Sequence, residues 1–198
     1  MATIQTFQVR IHGRGGQGVV TAADLLSVAA FVEGRYAQAF PSFGSERTGA
    51  PVASFVRIAD RPIRVHEPVL NPDAVIVADA TLLGALDVFE GLMPYGYVLI
   101  NSAHGVDELG LADLVVGRGD DRVATLPATE LALEHVGRPV PNAVLLGGFA
   151  AMTGVVSLSS VVRAIEERFA PRIAAGNVEA ATHAYELMRA RHLEVTHA

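Results

Sequence analysis

The chain contains no cysteine and no tryptophan among its 198 residues. Without a thiolate it cannot hold a cysteine-ligated iron–sulfur cluster, a Cys-type zinc site or a disulfide, and it has no thiol nucleophile. Lysine is missing as well; all 15 basic residues are arginine. With 21 acidic residues the net charge is −6, which argues against nucleic acid as a partner. No HExxH or Gly-x-Ser-x-Gly pattern occurs, and the seven histidines are scattered without metal-type spacing. Met1–Thr6 lacks a basic stretch leading into an apolar one, so no signal peptide is expected. The longest uncharged stretch, 139–162, holds two prolines and several glycines. Its densely apolar part, 143–156, is too short and too interrupted to span a bilayer. No membrane partner is expected, and the location is expected to be cytoplasmic.

What is present begins with a strand, a glycine loop and a helix. Thr6–Ile11 alternates as a strand, and 19–31 (VVTAADLLSVAAF) reads as a helix. Between them His12-Gly13-Arg14-Gly15-Gly16-Gln17-Gly18 places Gly13, Gly15 and Gly18 at the G-x-G-x-x-G spacing. Such a loop lets the chain turn sharply and brings backbone N–H groups to an anion at a helix N-terminus. Arg14 could add a charge and Gln17 an amide, and His12 borders the loop; the alternative is a packing turn that binds nothing. A dinucleotide site needs an acidic residue about 20 positions on, at the end of the second strand. The expected strand 35–40 ends in Pro41-Ser42 instead, and Glu33 comes too early.

The rest of the pattern alternates strands and helices. Strands are expected at 51–58, returning as a hairpin through 63–65, and at 74–78, 97–100, 112–116 and 122–126. Helices are expected at 81–89, 128–136, 142–154, 159–169 and 177–191. The fold class is α/β: a three-layer α/β/α sandwich with a mixed, mostly parallel sheet, formed as a single domain over 1–198. The helix within 139–162 has almost no solvated face, so it belongs in a core or a subunit interface. Asp79 and Asn101 end parallel strands, where ligands gather in open sheets, although both residue types also cap helices. The loop 41–49 (PSFGSERTG) offers Ser45, Glu46, Arg47 and Gly49, with Tyr36, Phe40 and Phe43 just before Arg47. An arginine fork there suits a carboxylate or phosphate; an exposed turn is the plainer reading.

Three segments, GRGGQGVVTAADLLSVAAF, AQAFPSFGSERTGAPVASFVRI and PNAVLLGGFAAMTG, resemble the gamma subunit of 2-oxoacid:ferredoxin oxidoreductases. The resemblance runs the full length and is closer to the pyruvate and branched-chain oxoacid type than to the 2-oxoglutarate type. It implies a multisubunit enzyme that oxidatively decarboxylates a 2-oxoacid to an acyl-CoA and CO2. It further implies thiamine diphosphate and iron–sulfur clusters on alpha-, beta- and delta-type partners, ferredoxin as acceptor, and none of these cofactors on this chain alone. The gamma-type part is then a candidate contributor to the coenzyme A entrance. Gly13, Arg14, Gly15, Gly16, Gln17 and Gly18, with Ser45, Glu46, Arg47 and Gly49, are the candidate cofactor-side residues; catalytic residues are unassigned and no metal ligand is expected. A stand-alone NAD(P)-binding oxidoreductase and a ligand-free interaction module are the alternatives.

Overall fold

The strand and helix patterns assemble into one six-stranded sheet in the computed structural model, which describes residues 6–42, 48–119 and 121–197. In chain order the strands are β1 (Thr6–Arg14), β2 (Tyr36–Pro41), β3 (Pro51–Ala59), β4 (Ala74–Val77), β5 (Tyr97–Asn101) and β6 (Val123–Leu126). Their spatial order is β2-β3-β1-β4-β5-β6. β3 alone runs against the others, pairing antiparallel with β1 and β2, while β1, β4, β5 and β6 pair parallel. The sheet is therefore mixed and mostly parallel, as the apolar strand runs require.

Alternation along β1 separates the two faces. Val9 and Ile11 join the larger core with α1 (Val19–Val32), α3 (Ala128–Val136), α4 (Asn142–Thr153), α5 (Leu158–Arg168) and α6 (Pro171–His197). On the other face a smaller core of Val75, Val77, Val98 and Ile100 is covered by a 3-10 turn, Ala80–Gly84, and the short helix α2, Ala112–Val116. The second outer layer is thus thin. Two expectations are corrected here. Residues 112–116 are helical, not a strand, and pack Leu114 and Val115 onto that smaller core. The helix expected over 81–89 is a single 3-10 turn followed by turns.

The return strand at 63–65 does not form, and the sheet order explains why. Both sides of β3 are already taken by β1 and β2. The segment after β3 crosses the thin face as an irregular strap, and its carbonyls at 67–69 accept from guanidinium groups. Arg57 donates to Glu67 O and Pro68 O, and Arg10 donates to Val69 O, Val88 O and Glu90 O. Gln8 and Arg10 on β1, with Arg57 on β3, are the anchors of this strap.

The charge-free stretch after Pro139 also resolves. Every residue from Asn142 to Ala150 is buried within this one chain. α6 covers α4, and the two backbones touch: a Cβ on Gly147 would lie 2.0 Å from Ala181 O. The apolar helix belongs to the subunit's own core, so its composition marks no interface.

Candidate functional site

The glycine loop stands at the carboxyl ends of β1 and β4, between the end of one strand and the start of α1. Gly16 and Gly18 have φ of 97° and 74°, a left-handed conformation that glycine adopts at no steric cost. Gly13 serves packing: a Cβ there would meet Val19 Cγ2 at 2.4 Å. Gly18 is the N-cap of α1 and no side chain caps that helix. A hollow of about 250 Å3 lies over this N-terminus, between Gly15, Gly16, Val20, Thr21 and Val52.

The two motifs distant in sequence meet here. Gly15 bridges to Thr48; Gly15 N–H donates to Ala50 O at 2.9 Å and Gly49 N–H donates to Gly15 O at 3.1 Å. Gly49, with φ of 83°, makes the turn that allows this pairing. Ser45, Glu46 and Arg47 lie outside the described residues, so only the Thr48–Ala50 end of the second motif is placed against the first.

Asp79 holds the loop together. Its Oδ1 accepts from Thr81 N at 3.0 Å and Thr81 Oγ1 at 2.6 Å, capping the 3-10 turn. Its Oδ2 accepts from Gln17 Nε2 at 2.8 Å and pairs with Arg14 Nε at 3.2 Å. Gln17 Oε1 closes the loop by accepting from Arg14 N at 2.7 Å. Arg14 also donates to Thr81 Oγ1 and Gly49 O. Burial pushes the Asp79 carboxyl up, but the Thr81 and Gln17 hydrogen bonds and the Arg14 charge outweigh it and hold it below the usual carboxylate range. Gln17 is thus spent on the loop itself, whereas Arg14, although held by Asp79 and Thr81, also lines the hollow together with Gly15, Gly16, Gly18 and the start of α1.

The strand ends expected to face ligand divide. Asp79 is both a cap and the brace of the glycine loop. Asn101 is structural: it donates to Ala78 O at 2.9 Å and Thr129 Oγ1 at 2.7 Å, and accepts from Thr129 N at 3.1 Å, fastening α3 to the sheet. His12 points to the thin face of β1 with its Nε2 buried and unpartnered; burial, then the Arg10 charge, lowers its pKa to about 4. Thr81 escaped sequence reasoning, although the Asp-x-Thr spacing at 79–81 is a cap signature that marks it. A hollow of about 660 Å3 lies at the opposite end of the sheet against Thr6, Gln8 and Arg57, away from both motifs.

A dinucleotide reading finds little support in this geometry. β3 is inserted between β1 and β2, so the first two parallel strands are not neighbours. β2 ends at Pro41, and Glu33 is occupied by Ser157 N–H and the Ser160 hydroxyl. The hollow over α1 is also below the roughly 300–1,000 Å3 of self-contained ligand pockets.

Comparison with known proteins gives the same family as the motifs. The model of the family described as pyruvate ferredoxin/flavodoxin oxidoreductase matches residues 8–187. The chain belongs to that family. It is 48% identical over 182 residues to the pyruvate synthase subunit PorC of Methanothermobacter marburgensis, covering 92% of this chain and 97% of that one. It is 45% identical to the common gamma subunit of the pyruvate/ketoisovalerate oxidoreductases of Pyrococcus furiosus, over 90% and 95% of the two chains. The crystal structure of the pyruvate oxidoreductase subunit PORC from Thermotoga maritima superposes with a TM-score of 0.77 at 37% identity, covering 92% and 96%. Matched by these subunits over nine-tenths of its length, the chain is a gamma-type member of the oxidoreductase family and a subunit of a multisubunit enzyme. The 2-oxoglutarate:ferredoxin oxidoreductase of Magnetococcus marinus shares the fold at a TM-score of 0.71 and 18% identity, over 31% of its length.

Proposed function

We propose that this chain is the gamma subunit of a coenzyme A-dependent 2-oxoacid:ferredoxin oxidoreductase of the pyruvate or branched-chain type. The enzyme takes a 2-oxoacid and coenzyme A to an acyl-CoA and CO2, passing two electrons to ferredoxin. Its partners are alpha-, beta- and delta-type subunits, and thiamine diphosphate and the iron–sulfur clusters reside on them. The donor chemistry of this chain supports that division, since it offers no thiolate to a cluster. Among the described residues no helix is long and apolar enough to cross a membrane.

Within the complex, the glycine-loop edge forms one wall of the coenzyme A entrance. Gly13–Gly18 and the 45–49 segment act there together, Arg47 supplying positive charge and the uncapped start of α1 supplying N–H donors. The observation that carries this reading is the pairing of Gly15 with Thr48–Ala50, which joins both motifs in one surface beside a hollow too small to be a site alone. Gly16→Asn tests it. A Cβ on Gly16 meets nothing within 4 Å, and asparagine tolerates positive φ better than most residues. The assembled complex should form in normal yield with its KM for coenzyme A raised about tenfold, equivalent to about 1.4 kcal/mol. Normal assembly with an unchanged KM would remove the loop from the coenzyme A path.

A further inference from the structure

A second group of polar side chains converges outside that site, where α3 packs on α6. His135 lies in the last turn of α3, and its Nε2 stands 3.1 Å from Nδ1 of His183 on α6, the ring planes 88° apart. Glu134 lies beside them: one ligand atom from each of Glu134, His135 and His183 falls within 4.8 Å of the others. Two nitrogens bound at about 2.0–2.1 Å to one tetrahedral ion are about 3.3 Å apart, so the imidazoles are spaced as two ligands of a single ion. Glu179, one turn before His183, brings Oε2 to 3.7 Å from the other ring nitrogen of His135, Nδ1. A carboxylate there favours the proton on Nδ1 and leaves the Nε2 lone pair facing His183. That is the carboxylate–histidine pairing that orients metal ligands. The two helices are in close backbone contact here: a Cβ on Gly176 would lie 2.5 Å from His135 O.

We propose that Glu134, His135 and His183 bind a divalent transition cation of the zinc class, with Glu179 orienting His135 and solvent completing the coordination. Two imidazoles and one carboxylate suit zinc, nickel or copper; magnesium and calcium take all-oxygen shells. The ligands come from two helices, so the bound ion braces α3 against α6.

The test uses the full chain, stripped with chelator and titrated with zinc chloride by calorimetry while the Tm is followed. One ion per chain and a Tm that rises with zinc, but not with magnesium, are expected. His183→Gln and Glu134→Gln should each weaken zinc binding at least about tenfold, and Glu179→Gln by about 10–100-fold. Circular dichroism without metal checks that each variant is folded; Glu134 is exposed, so its variant reports even if a histidine variant does not fold. Absence of binding at micromolar zinc overturns the site and leaves a histidine–histidine hydrogen bond. Binding that survives in His183→Gln and Glu134→Gln alike also overturns it, by placing the ion elsewhere on the chain.

Discussion

Asp79 is the residue on which the glycine loop depends. It accepts from Thr81 and Gln17 and pairs with Arg14, so its removal takes from an amide and a guanidinium the one carboxylate they share among the described residues. Breaking a charge-assisted network of this kind costs about 1.5–3 kcal/mol. For a chain of this size, each kcal/mol corresponds to about 2–4 °C in Tm. Asp79→Ala should therefore lower the Tm by roughly 3–12 °C. Amide exchange at Gly15 and Gly49, whose N–H groups hold the two motifs together, should accelerate in the same variant. An unchanged exchange rate there, measured by NMR or mass spectrometry, would show that the pairing holds without its brace. Sequence placed Asp79 at a strand end but left open whether it caps or faces a ligand. It caps, and it also steadies the loop; the second role depends on β1 lying beside β4, which no local pattern announces.

At the scale of elements, the informative contact is α4 against α6. Gly147 permits the helices to touch at the Ala180–Ala181–Ala184 face, all three alanines being fully buried. A methyl group at 147 has nowhere to go but into the Ala181 carbonyl, and overpacking of this kind costs about 1–3 kcal/mol. Gly147→Ala should lower the Tm by roughly 2–12 °C. Gly84→Ala is the control: a Cβ there meets nothing within 4 Å, and the Tm should move little. Equal Tm values for the two variants would contradict the close backbone contact. The same packing decides between the core and the interface that composition left open for this helix. Hydropathy alone cannot distinguish a helix sheathed by its own chain from one awaiting a partner. α6 begins at Pro171, six residues before the expected start, and is long enough to do the sheathing.

For the molecule as a whole, acid should be destabilising in a defined window. His12 titrates near 4 in the folded chain because burial, chiefly, and Arg10 disfavour its charged form, against an ordinary value of 6.5. Between those values the unfolded chain binds the proton and the folded chain does not. Stability is therefore complete above about pH 6.5 and falls as pH drops toward 4, by at most about 3 kcal/mol. Asp79 and Glu33, both held below the ordinary carboxylate range, add losses in the same direction at lower pH. Asp73 and Asp24, raised chiefly by burial, oppose them. Thermal melts at pH 7 and pH 4.5 should show the drop, and His12→Asn should flatten the slope between pH 6.5 and 4; a slope unchanged by that substitution would assign the acid sensitivity to the carboxylates.

The amino-acid sequence by itself determined the α/β class, the mostly parallel sheet, the glycine turn into α1 and the family, because each rests on local periodicity, on turn chemistry or on contiguous motifs. The absence of thiolate ligands was equally plain in it. Three matters waited for the tertiary structure. β1 and β2 occupy both edges of β3, so a strand over 63–65 finds no partner there. Asp79 claims Arg14 and Gln17 from across 62 residues or more. His135 and His183, separated by 48 residues and without metal-type spacing, stand 3.1 Å apart. In each case the deciding contact joins residues far apart in the chain. Side-chain hydrogen bonds of that kind follow from how strands and helices stack, and periodicity carries no record of the stacking.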